Sequence, residues 1–207
     1  MDPKKIDSLL AQRVPHGALK YCTALWEELP FSFKIRKSRL SKVGDFTCRS
    51  GQSPQITING DLHPFLFLMT YVHEVAHLRV HKMLGFKAEA HGQDWKKAFQ
   101  NLMAPLLTPE IFPEPLLTGL RKHMASPKAS SFADAELTHL FRSQNEREKS
   151  AVLLSQIPEG SIFHLHGRWF KKGKLRRTRV LCHEVKTRRQ YLVPVDIPVS
   201  NAQLSLL

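Results

Sequence analysis

The stretch Thr70-Tyr71-Val72-His73-Glu74-Val75-Ala76-His77-Leu78 continues an apolar run that begins at Phe65, and it carries three polar side chains that belong together chemically. Read as a helix, it places His73 and His77 about 40° apart around the axis and about 6 Å apart along it. Two imidazoles so placed can converge on one cation, and the spacing suits tetrahedral Zn²⁺. Glu74 stands beside the first histidine, where its carboxylate can reach a water on the metal without binding the metal itself. That is the physical content of His-Glu-x-x-His. The plainer reading is a pair of histidines on a structural helix. Flanking residues favour a helix over 62–84: Asp61 is available as N-cap, Pro64 falls in the first turn, and Gly85 offers a stop.

A catalytic zinc site takes three protein ligands and keeps one position open. His81 continues the four-residue spacing but lies about 12 Å along the axis from His73, too far to share an ion. The third ligand therefore comes from another segment. His91 fits, because the chain can turn at Gly85 and return before a second helix over 92–103, closed by Pro105. Glu89 is the competing candidate.

Upstream, apolar positions from Ile6 to Glu28 indicate helix interrupted at Pro15-His16-Gly17 and ended by Pro30. Phe31 to Lys37 alternates with period two, and Asp45 to Cys48 and Gln55 to Asn59 read as further strands. Three strands in succession read as an antiparallel meander covering a helical layer. Downstream, 105–130 is rich in Pro, Ser and Thr and reads as a connection, followed by a short helix from Ala133 to Arg142. After Pro158-Glu159-Gly160 come three strands, Ser161 to His166, Thr178 to Val185 and Gln190 to Val195. Residues 168–177 and 186–189 read as polar turns between them. The expected architecture is α+β: a core over 1–120, a linker with a short helix over 121–157, and a small basic β subdomain over 158–207.

With His73-Glu74-Val75-Ala76-His77-Leu78, Gly85-Phe86 and His91-Gly92-Gln93-Asp94-Trp95-Lys96 taken together, the chain resembles the SprT family of zinc metallopeptidases, which includes the bacterial SprT proteins and the eukaryotic Spartan protease. The family pattern is His-Glu-x-x-His and then, after a gap, His-Gly-x-x-aromatic. The resemblance covers roughly residues 15–115. It implies a zincin-like core, one zinc ion per chain held by His73, His77 and His91, and Glu74 as catalytic acid and base in peptide-bond hydrolysis. Many members follow the core with a zinc ribbon of two Cys-x-x-Cys pairs. This chain has none, and its basic β segment stands in that place as a metal-free counterpart.

The remaining composition bounds the setting. Hydrophobic residues make up 42% of the 207, enough for a core, and the formal charge of +13 favours polyanionic partners, nucleic acid before a membrane surface. Cys22, Cys48 and Cys182 form no paired motif, so neither a disulfide framework nor a thiolate ribbon is expected, and the compartment reads as reducing and cytoplasmic. No apolar run is long enough to span a bilayer. Between Ser161 and Tyr191 ten cationic residues face only Glu184. Of these, Arg168, Lys171, Lys172, Lys174, Arg176, Arg177, Arg179, Arg188 and Arg189 are candidates for nucleic-acid contact, with Phe163, Trp169, Phe170 and Tyr191 interleaved. The competing reading is a solvated face whose aromatics form a core. Lys34, Arg36, Lys37, Arg39 and Lys42 make a second basic cluster, and a second metal site around His164, His166 and Cys182-His183 ranks below core and turn roles. The expected function is a zinc metallopeptidase acting on proteins bound or crosslinked to DNA. The alternatives are a non-catalytic nucleic-acid-binding protein with a structural or vestigial zinc site, and a zinc hydrolase acting on other bonds.

Overall fold

Ile56 and Ile58 are buried on one face of strand β3 (Gln55–Asn59) and Thr57 and Asn59 on the other, so this strand belongs in the interior of a sheet. In the computed structural model, which describes residues 2–39, 42–128, 134–144, 152–177 and 179–203, β3 lies between β1 (Ser32–Arg36) and β2 (Gly44–Thr47). It pairs parallel with β1 and antiparallel with β2. The expected antiparallel meander is therefore corrected to a mixed three-stranded sheet. Alternation fixes which side chains face inward, but the strand with both faces covered takes the middle, whatever its place in the chain.

The chain divides into two units, 1–144 and 145–207. In the first, α1 (Pro3–Ala11) and α2 (Leu19–Glu28) flank a 3-10 turn at His16–Ala18, where Pro15 breaks the helix. Helix α3 (Pro64–Leu84) is buried around most of its girth from Phe67 to Val80, as an apolar helix must be. Tyr71 on α3 donates its hydroxyl to the Cys22 carbonyl of α2 at 2.9 Å, and its ring packs on Phe33 of β1, which locks the helix to both layers. The N-cap is His63 rather than Asp61: its ring nitrogen accepts from the Phe65 N–H at 3.4 Å. Gly85 closes α3 with φ 61°, a conformation glycine adopts freely. Helix α4 (Gln93–Met103) then packs on α3.

Helix α5 (Leu116–Ala125) corrects the reading of 105–130 as a connection, and the short helix expected within 121–157 is present as α6 (Ala135–Ser143). Helix α5 buries Leu116, Leu117, Leu120 and Met124, and α6 buries Leu137 and Phe141, all in the same core as α3. The first unit thus runs past residue 120. Pro105, Pro113 and Pro115 mask the helical period that starts immediately after them. Ala133, the expected start of α6, lies outside the described residues.

The second unit is an antiparallel sheet in the order β4-β9-β5-β6-β7-β8. Its strands are β4 (Val152–Leu153), β5 (Ile162–Leu165), β6 (Arg168–Arg176), β7 (Arg179–Glu184), β8 (Gln190–Pro194) and β9 (Pro198–Gln203). The expected polar turn over 168–177 is instead β6, the longest strand. His166 and Gly167, with φ 48° and 77°, make the two-residue hairpin that leads into it. Thr178, expected in β7, lies outside the described residues. Phe163, Phe170, Val180 and Cys182 form the interior, and Gly173 lets β6 approach β7, since a Cβ there would lie 2.6 Å from the Leu181 carbonyl. All three cysteines are free. Among the described residues no helix is long and apolar enough to cross a membrane.

Candidate metal centre

One turn of α3 and the loop entering α4 bring three imidazoles together. The Nε2 atoms of His73 and His77 are 3.2 Å apart, those of His77 and His91 3.0 Å, and those of His91 and His73 3.2 Å. Among the described residues this is the one group of three or more metal-ligating side chains within reach of a common ion. Three such nitrogens cannot satisfy one another by hydrogen bonding. A neutral ring carries one N–H, and any proton placed among the three serves one neighbour well and leaves other lone pairs facing each other. A cation resolves that arrangement.

His91 reaches the cluster because its backbone is left-handed, φ 63°. This costs a non-glycine residue roughly 1–2 kcal/mol. The strain turns the chain between the 3-10 turn at Gly85–Lys87 and α4, and the packing of the ring holds it there. Trp95, one turn into α4 and fully buried, lies under the whole cluster, with ring centroids 4.7, 5.3 and 4.6 Å from His73, His77 and His91. Its indole N–H donates to the His73 carbonyl at 3.4 Å. Phe46 of β2 stacks on His77 from the other side, centroids 6.4 Å apart and 5° from parallel. His73, His77 and His91 are all half-buried.

Burial pushes the pKa of His73 down to about 2, with His77, His91 and His123 adding to it, and that of His77 down to about 4, with His91 adding to it. Both rings are therefore neutral at neutral pH, the state in which imidazole ligates a metal. Glu74 points the other way. It is 6% exposed, and burial raises its carboxyl to about 8, with Asp45 adding to the rise and Arg39, the Phe46 backbone N–H and Lys42 opposing it. The Phe46 N–H donates to this carboxylate. Gly44 makes room for it, since a Cβ at 44 would lie 2.4 Å from Glu74 Oε1.

His73, His77, His91 and Glu74 are thus placed in one region, as the motif requires. Glu89 is not part of the cluster; its carboxylate folds against Gly92. His81 packs between Phe46 and Phe86. Trp95 is the aromatic of the His-Gly-x-x-aromatic text, whereas Phe46 and Gly44 carry no spacing signal that assigns them to the site; only the fold brings those two there.

The basic residues of the second unit do not gather in one place. Lys172 turns inward and donates to the carbonyls of Leu154 and Ile157 at 2.7 and 2.5 Å. Arg168 pairs with Glu184 at 3.3 Å and lies over Tyr191. Arg176, Arg177 and Arg179 sit at the β6–β7 tip, while Arg188 and Arg189 sit beyond the far end of β7, about 17 Å along the strand. Lys171 and Lys174 are exposed between them. No protein-family model, curated protein or solved structure matches this chain.

Proposed function

We propose that this chain is a zinc-dependent metallopeptidase with a zincin-like core of the SprT type, and that proteins bound to DNA are its substrates. The observation that carries the reading is the convergence of three neutral imidazoles beside a buried carboxylate. The donor set fits the metal. Zinc–nitrogen bonds of about 2.0–2.1 Å at tetrahedral angles separate ligand atoms by about 3.3 Å, close to the 3.0–3.2 Å between the three Nε2 atoms. Calcium and magnesium prefer oxygen ligands, so the nitrogen set favours zinc over either.

Bound zinc supplies Lewis acidity, which polarises a carbonyl and makes water nucleophilic near neutral pH. Glu74 is the general base: its carboxylate takes the proton of the attacking water and later delivers it to the leaving amine. A neighbouring cation favours the charged carboxylate, opposing the effect of burial. The Phe46 N–H orients the group, and Gly44 leaves it space. Trp95 and Phe46 hold the imidazoles in position. The DNA-linked substrate class rests on the resemblance of the His-Glu-x-x-His and His-Gly-x-x-aromatic text and on the overall charge of +13.

The test combines metal analysis with cleavage of a DNA-bound protein. Wild type is expected to hold one zinc per chain and to cleave. Glu74→Gln is expected to keep the zinc and lose about 10²- to 10⁴-fold in rate. Undiminished cleavage by Glu74→Gln, or failure of wild type to take up zinc, overturns the assignment.

A further inference from the structure

The outer face of the β1–β3–β2 sheet, opposite the face that Phe33, Ile58 and Phe46 turn toward the helices, carries a depression of about 520 Å³. Its floor is polar, built from Thr47, Gln55 and Thr57, which lie side by side across β2 and β3 in register. Four cations line it: Lys34 and Arg36 from β1, Arg49 beyond β2, and Arg39 from the segment between β1 and β2. One carboxylate, Asp45, is present, and Lys42 pairs with it at 2.7 Å.

Arg39 is fixed over β3 by neutral partners. It donates to Asn59 Oδ1 at 2.8 Å and to Thr57 Oγ1 at 2.9 Å, so neutral acceptors hold it in place, while its charge also reaches the Glu74 carboxyl. Lys34, Arg36 and Arg49 are exposed and make no ion pair among the described residues. Like charges held this close repel one another, and a polyanion relieves the repulsion.

We infer that this depression binds the phosphodiester backbone of nucleic acid. The cations form a row and not a point: Lys34 and Arg36 are about 7 Å apart along β1, and β1 and β2 are about 10 Å apart across the sheet. A row of that extent suits successive phosphates better than one small anion. No aromatic or apolar side chain lines the depression. It therefore offers nothing on which a base can stack and nothing to insert into a lipid surface. Contact stops at phosphates, with the hydroxyl and amide groups of the floor as additional donors. Binding here requires neither metal nor hydrolysis, and every residue lining the depression belongs to the first unit.

The test is fluorescence anisotropy on the full chain with a labelled single-stranded oligonucleotide and its duplex, over a salt series. Substituting Lys34→Gln, Arg36→Gln and Arg49→Gln together is expected to weaken binding at least about tenfold. The slope of log K against log salt should fall by about 2 on the single strand. Arg176→Gln with Arg177→Gln serves as the comparison and should change both by less. Thermal melting and zinc uptake of the triple variant are expected to match wild type. Should that variant fold poorly, Thr47→Asp gives the same answer by adding a carboxylate to the floor. Wild-type affinity and salt slope in the folded variants, or equal competition by polyglutamate at matched charge, overturns the inference.

Discussion

In the first unit three imidazole nitrogens face one another at 3.0–3.2 Å and no choice of tautomers lets all three pair, whereas in the second unit Lys172 gives its protons to two main-chain carbonyls and Arg168 gives one to Glu184. Both regions hold polar groups away from solvent. In the second the groups satisfy one another, so they support structure. In the first they cannot, and the shortfall marks a place where something from outside completes the set. Single buried atoms such as His123 Nε2 and Ser161 Oγ also lack a hydrogen-bond partner, so it is the convergence of three ligand atoms on one point that separates the site from the scaffold.

The strongest way to break the comparison is His91→Ala. Two imidazoles on one helical turn are expected to lose stoichiometric zinc, and metal analysis after dialysis reads the loss. A variant that still holds one equivalent would show that the left-handed residue is not a ligand. Next in size is Gly44→Ala. Its Cβ meets Glu74 Oε1 at 2.4 Å and Thr70 Cγ2 at 2.6 Å, so the carboxylate must move. The expected result is about tenfold slower cleavage with zinc retained, and a stability loss of about 1–3 kcal/mol. Wild-type rates in this variant would show that the position of the carboxylate is not critical.

Acidity and alkalinity should both weaken the metal-free first unit. His73 and His77 are depressed from 6.5 to about 2 and about 4, so the stability they contribute is whole above pH 6.5 and is lost as pH falls through 4 toward 2. Glu74 is raised from 4.5 to about 8, so its contribution is whole below pH 4.5 and is lost as pH rises through 8. Melting temperature after chelation should therefore peak near pH 6.5, and Glu74→Gln should flatten the alkaline limb. A profile identical in wild type and Glu74→Gln contradicts this. The smallest effect belongs to the second unit. Lys172→Met leaves two carbonyls without a donor and should cost about 1–3 kcal/mol with zinc binding untouched. Arg176→Gln, at the exposed tip, should stay within about 0.5 kcal/mol.

Local chemistry made much of the first unit legible. Pro64 and Gly85 bound α3, Pro15 breaks the first helical stretch, and the turn at Gly85 admits His91 as third ligand where His81 is excluded by helix rise. What was not legible depends on neighbours. Nothing in Gln55 to Asn59 says that β3 separates the two strands that precede it, because alternation specifies faces and not order. Phe46 and Gly44 join the centre only through the packing of β2 on α3. Strand β6 has no clean polar–apolar alternation because the cation Lys172 occupies an inward position, reaching carbonyls through a long apolar stem. Helix α5 was hidden by the prolines in front of it.

The insertion of β3 between β1 and β2 also orders assembly. The β2–β3 hairpin closes over the short turn 48–54, while β1 meets β3 only across a loop almost three times as long. The hairpin should form early and carry Phe46 with it, so one wall of the three-histidine centre exists before the sheet is complete. Phe46→Leu should then slow refolding, whereas Phe33→Leu on β1 should chiefly hasten unfolding. A chain that builds its ligand wall before its last strand can capture metal while still assembling, and the ion would then act as a template for the docking of β1.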